Sequence, residues 1–189
     1  MKLIFIYGPP AVGKMTVGQE VCRRTGYTLF HGHVVGDVVA AYFPFGTPSF
    51  ARLSQTWRRT FIEEAARAGM NLITTVAWRF DVPEDAETIA SWLRPYTEAG
   101  RVLCVELVAP LEARLERNHS ENRRRHKTAS WVTDDYLRGI NVAHRYDSGG
   151  DFPFDVPHLR LETEHLPAEA AADRIIGHFG LPVLDNPNT

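Results

Sequence analysis

The chain has 189 residues, 44% hydrophobic and 23% charged, the profile of one ordinary globular domain whose core needs no disulfide or metal staples. A formal charge of -2 argues against a broad non-specific nucleic-acid surface and leaves only a local basic cluster, RNHSENRRRHK. Two cysteines, Cys22 and Cys104, make neither a disulfide framework nor a metal pair, and they read as buried thiols of a cytoplasmic protein.

Residues 2–7, KLIFIY, are an apolar run of strand length, too short for a signal-peptide core or a membrane span. Residues 8–13 form a Gly/Pro-rich loop. From Lys14 to Arg24 the placement of Val17, Val21 and Cys22 predicts a helix, with Gly26 as its stop. YTLFH reads as a second strand, and VVGDVVAAYF as a short helix ended by PFGTP. Over 49–68, Phe50, Leu53, Trp57, Phe61, Ile62 and Ala65 recur at helical spacing. MNLITTVAW is a third strand, 83–100 a helix opened by Pro83 and Glu84, and RVLCVELVA a fourth strand. Pro110 suits the first turn of the helix that follows. Residues 130–146 read as helix, HLRLE as the last strand and 167–180 as the last helix. The expected organisation is one domain over 1–181, with a polar, Pro-containing tail at 182–189. Alternating strands and helices predict an α/β fold, a parallel sheet covered on both faces. Ligands of such sheets bind at the carboxyl ends of the strands.

GPPAVGK places Gly8, four residues, Gly13 and Lys14 between a strand and a helix. That spacing in that context is a phosphate-binding loop. Glycines let the backbone wrap an anion, amides point inward, and the helix start favours negative charge. The expected cradle is Gly8, Pro10, Ala11, Val12, Gly13, Lys14, Met15 and Thr16. Lys14 supplies a mobile positive charge for the β and γ phosphates. Met15 stands where a hydroxyl is usual, but Thr16 follows, and its hydroxyl can reach a phosphate or Mg²⁺. A dinucleotide fingerprint would want closely spaced glycines and no lysine. A GTPase would add NKxD, which is missing from the sequence.

GPPAVGKMT resembles the small-molecule kinase branch of P-loop proteins, which includes adenylate, shikimate and gluconate kinases. The resemblance runs from Lys2 to about Leu181. It implies a three-layer P-loop NTPase fold, a five-stranded parallel sheet in the order 2-3-1-4-5 and a small lid at about 118–130. It implies ATP and Mg²⁺ as cofactors. Arg117 matches the position that packs on adenine; Arg124 is the best lid residue and Arg123 the next, there to stabilise the transferring phosphoryl group. Thr163, Glu164 and His165 match the loop that walls the base. Only Glu106 of the third and fourth strands is acidic, so Mg²⁺ is expected chiefly on Thr16, with Thr74 or Thr75 helping.

The acceptor half departs from the shikimate pattern. FHGH puts His31 and His33 where acids are expected, with Asp37 one helical turn beyond. A histidine of ordinary pKa near ~6.5 can accept a hydroxyl proton. The base is thus His33 or Asp37, with His31 on the substrate side. Arg79 is the candidate for gripping an anionic or polar acceptor, with Arg52 and Arg59 weaker ones. Trp78 and Phe43 either line the pocket or pack in the core. No third and fourth ligand complete a zinc site with the histidines. The expected activity is ATP-dependent transfer of a phosphoryl group to a small-molecule acceptor, by a monomer or homodimer without membrane or nucleic-acid partners. The alternative is an ATP-binding regulatory or structural module with weak hydrolysis.

Overall fold

A computed structural model describes residues 1–119 and 132–184. Its elements are β1 Lys2–Tyr7, α1 Lys14–Thr25, β2 Thr28–Phe30, α2 Gly32–Ala40, α3 Pro48–Arg67 and β3 Leu72–Val76. They continue with α4 Pro83–Ala99, β4 Arg101–Val108, α5 Leu111–Asn118, α6 Asp134–Ala143, β5 His158–Glu162 and α7 Ala168–Phe179. The strands form one all-parallel sheet in the order β2-β3-β1-β4-β5, as the resemblance implies.

The continuous apolar character of β1 follows from its central place. Leu3, Phe5 and Tyr7 face one core with Val35, Ile62, Trp92 and Tyr96; Ile4 and Ile6 face another with Val17, Val21, Ala172 and Ile175. A strand buried on both faces has no reason to alternate. Each such side chain contributes about 1.5–3 kcal/mol by leaving water. A third, smaller cluster of Ala11, Leu115, Val132 and Leu137 packs the phosphate loop against α5 and α6.

Local chemistry sets the ends. Gly26 adopts φ 71° at the end of α1 and its N–H reaches Cys22 O, a left-handed stop that favours glycine. Thr47 caps α3 by accepting from the Phe50 N–H at 3.3 Å, ahead of Pro48. Two strands are shorter than expected. β3 ends at Val76, the residue opposite Tyr7, because β1 itself ends there and offers no further ladder. β2 ends at Phe30, so α2 begins at Gly32 with His31 at its cap and His33 in its first turn. Among the described residues no helix is long and apolar enough to cross a membrane.

Candidate active site

Gly8 leaves β1 at φ +142°, and a Cβ there would lie 2.1 Å from Leu107 O on β4. Only glycine lets the loop turn against the neighbouring strand this closely. Ala11 (φ 66°) and Gly13 (φ 101°) continue the left-handed turns that aim successive amides inward. Lys14 folds back over the loop and donates to Gly8 O at 2.8 Å and Pro9 O at 2.6 Å. The first turn of α1 therefore combines backbone N–H groups, a helix dipole and an ammonium at one point.

A cavity of about 810 Å³ opens from this loop. Pro10 through Val17 form its floor, so Met15 and Thr16 both border it. Of the two threonines near the end of β3, Thr75 lines it, whereas Thr74 is 2% exposed inside the sheet. Among the described residues no three His, Cys, Asp or Glu side chains cluster as a metal cage. Hydroxyls beside a phosphate loop fit Mg²⁺, which keeps several waters and needs few protein ligands.

On the base side, Arg117 donates to Val12 O at 3.2 Å, to Thr163 Oγ1 at 3.3 Å and to Glu164 O at 3.1 Å, and also to Thr163 O. It thus joins the phosphate loop to the β5–α7 connection. Burial lowers its pKa, with Glu164 and Glu116 opposing that shift. Arg114 is 3% exposed and donates to Ala109 O, Pro10 O and Asn141 Oδ1. It braces the loop from behind. Arg123 and Arg124 lie outside the described residues.

On the far side, His33 and Asp37 line the cavity from α2, one turn apart. No hydrogen bond or ion pair to the Asp37 carboxylate is found among the described residues. His31, at the helix cap, stands 5.9 Å from the His33 ring but does not border the cavity. Arg79 borders it with its guanidinium already occupied, donating to Asp85 Oδ2 at 2.8 Å and Oδ1 at 2.6 Å. The hydrogen bond to Asp85 raises its pKa. Trp78 belongs to the core: 1% exposed, it stacks on Phe80 and Phe154 and does not reach the cavity. The early end of β3 turns it inward. Phe43 is 39% exposed and also off the cavity, where Phe45 and Phe50 supply aromatic wall instead.

Sequence reasoning missed Arg58. It lines the cavity from α3, and its guanidinium carbon sits 4.9 Å from the Trp92 ring centroid. A Cβ on Gly32 would lie 2.8 Å from its Nη2, so the glycine makes room for it. Among the described residues no carboxylate pairs with it. Burial lowers its pKa to about 10, which still leaves it charged at neutral pH. Ser54, one turn earlier on α3, also lines the cavity, and its hydroxyl is buried with no hydrogen-bond partner among the described residues. The available signal was spacing: Arg58 falls four and seven residues before Ile62 and Ala65, the buried stripe of α3.

No protein-family model matches the sequence, and no curated protein matches it. Solved structures match over nearly the whole chain. A gluconokinase from Sinorhizobium meliloti aligns with TM-score 0.64 at 14% identity, covering 95% of this chain and 91% of that one. The APS kinase CysC of Mycobacterium tuberculosis, solved with AMPPNP and APS, aligns with TM-score 0.59 at 17% identity over 95% and 97% of the two chains. A shikimate kinase from Acinetobacter baumannii, solved with shikimate, aligns with TM-score 0.56 at 20% identity over 94% and 92%. The fold is that of the P-loop small-molecule kinases.

Proposed function

We propose that this chain is an ATP-dependent phosphotransferase that moves the γ-phosphoryl group to a hydroxyl of a small acceptor bearing an anionic group. The observation that carries the reading is the layout of one cavity. A phosphate loop with its lysine lines it, and so does a partly buried arginine that has no carboxylate partner among the described residues. A buried cation is costly unless a partner is supplied, and an anionic acceptor would be that partner.

In this reading the loop amides and Lys14 hold the β and γ phosphates, and Arg117 borders the base. Thr16, with Thr75 nearby, would hold Mg²⁺ or its waters. When bound, that ion would neutralise charge on the β and γ phosphates. Arg58 and Ser54 anchor the acceptor. Asp37 accepts the hydrogen of the attacking hydroxyl, and His33 stands beside it. A carboxylate in the cavity with no hydrogen bond from the described residues is ready for that contact. Arg124, with Arg123 beside it, is the proposed cation over the transferring group on sequence grounds alone.

A second reading, an ATP-binding module with weak hydrolysis, draws on the end of β3, which offers Thr74 and Thr75 rather than a carboxylate. ATP consumption measured across hydroxy acids, sugar acids, sugar phosphates and nucleosides separates the two. The phosphotransferase reading expects a large increase over background with an anionic hydroxyl compound. Flat consumption throughout would favour the module.

A further inference from the structure

Resting on the phosphotransferase reading, the geometry points to Tyr146 as a further ligand-contacting residue, a phenol donor to an oxygen of the phosphoryl group in transfer, with the buried Glu106–Ser148 pair as its positioning device.

Tyr146 borders the main cavity and also a second, polar one of about 590 Å³ behind Pro9 and Arg114; no other described residue borders both. It is 9% exposed, yet its hydroxyl makes no hydrogen bond to the described residues. Burial pushes its pKa up to about 12, so it stays a donor at neutral pH. It lies against the β3–α4 turn, beside Arg79 and Asp85, at the carboxyl end of the sheet where the phosphate loop also sits.

The connection that carries it is pinned on both sides. Before it, Phe80 N donates to Arg145 O at 2.7 Å, and Asp81 accepts from Arg145 N at 2.9 Å and pairs with His144 at 3.0 Å. After it, Ser148 donates its N–H and its hydroxyl to Glu106, both at 2.7 Å. Glu106 and Ser148 are both 0% exposed. The carboxylate takes a third hydrogen bond from the Tyr7 hydroxyl at 3.3 Å, and Tyr7 contacts His158 Nε2 at 2.7 Å. A buried carboxylate is expensive unless its oxygens are satisfied. Here the carboxylate stands on β4, and its partners come from β1, β5 and the Tyr146 connection. That arrangement fixes the connection to the rigid part of the sheet, the condition for a precise contact.

The test uses Mg·ADP alone and Mg·ADP with aluminium fluoride, which mimics the phosphoryl group in flight. Tyr146→Phe should leave Mg·ADP affinity unchanged and weaken the aluminium fluoride complex about tenfold or more, the scale of one hydrogen bond to a charged oxygen. Ser148→Ala should weaken the same complex less, and the Tyr146→Phe/Ser148→Ala double variant should lose no more than Tyr146→Phe alone. Thermal melts show that each variant is folded. Equal aluminium fluoride affinity in wild type and Tyr146→Phe overturns the contact, as does a wild type that gains nothing from aluminium fluoride. Fully additive losses overturn the positioning role of Ser148 and Glu106. A wild type that binds no Mg·ADP overturns the phosphotransferase reading and this contact with it.

Discussion

The guanidinium of Arg58 lies over the ring of Trp92, 4.9 Å from guanidinium carbon to ring centroid, and no described carboxylate balances it. α3 and α4 thereby present a desolvated cation to the cavity. Arg58→Met should raise the KM for an anionic acceptor by about a hundredfold while leaving the Kd for Mg·AMPPNP unchanged. Removing a desolvated charge that has no carboxylate partner among the described residues should also stabilise the fold, by on the order of 1 kcal/mol. Calorimetry with the nucleotide, acceptor titrations and a denaturant melt read these separately. An unchanged acceptor KM would remove Arg58 from the site.

Lys14→Ala should leave the melting curve of wild type and abolish turnover, because the ammonium lies on the cavity side of the loop rather than in the core. The checks are circular dichroism, Mg·AMPPNP affinity and ATP consumption. Unchanged affinity and turnover would sink the nucleotide site.

Asp37→Asn should lower kcat by about 10²–10⁴ with little change in nucleotide affinity, the usual range for loss of a general base. His33→Asn should cost less. A reversed ranking would transfer the base to His33.

Gly8→Ala should destabilise the chain by about 3 kcal/mol or more, since the new methyl would meet a backbone oxygen of β4 and the φ is unsuited to alanine. The denaturant midpoint is the measurement. A shift within error would mean that β1 and β4 part more easily than their shared core implies.

Glu106 gives the chain an acid-sensitive anchor. Burial raises its pKa, but hydrogen bonds from His158 and from the Ser148 backbone and hydroxyl lower it further, and the net shift is downward. In the window between the folded and unfolded values the unfolded chain binds more protons, so stability rises with pH there. The contribution is complete above the ordinary glutamate range and is lost as pH falls through the folded value. Glu106→Gln should therefore flatten the acid limb of the stability curve below about pH 4.5. Denaturant melts of both proteins at a series of pH values check this, and parallel acid limbs would refute it.

Much of the nucleotide half is legible in the chain itself. The loop is a local pattern, and its spacing, flanking strand and following helix are all short-range. The buried strands are legible because burial on both faces shows as unbroken apolar runs. The acceptor half is written in long-range contacts. Arg58 looks like one more arginine beside Arg52 and Arg59 until α3 is laid on α4, where the ring of Trp92 receives it. Trp78 was legible only as an aromatic at a strand end. Its inward turn depends on where β1 stops, a fact about a partner strand seventy or so residues away. Tyr146 carries no motif, since its place comes from a carboxylate on β4 that does not border the cavity.

Gly32 and Arg58 occupy one small volume between them, the missing side chain of one filled by the guanidinium of the other. The two positions are therefore not independent. A larger residue at position 32 displaces the guanidinium, the free end of a flexible side chain, from its place over Trp92. The acceptor half of this scaffold can therefore be retuned from the β2–α2 junction as well as from α3, because a change at either position moves the same guanidinium.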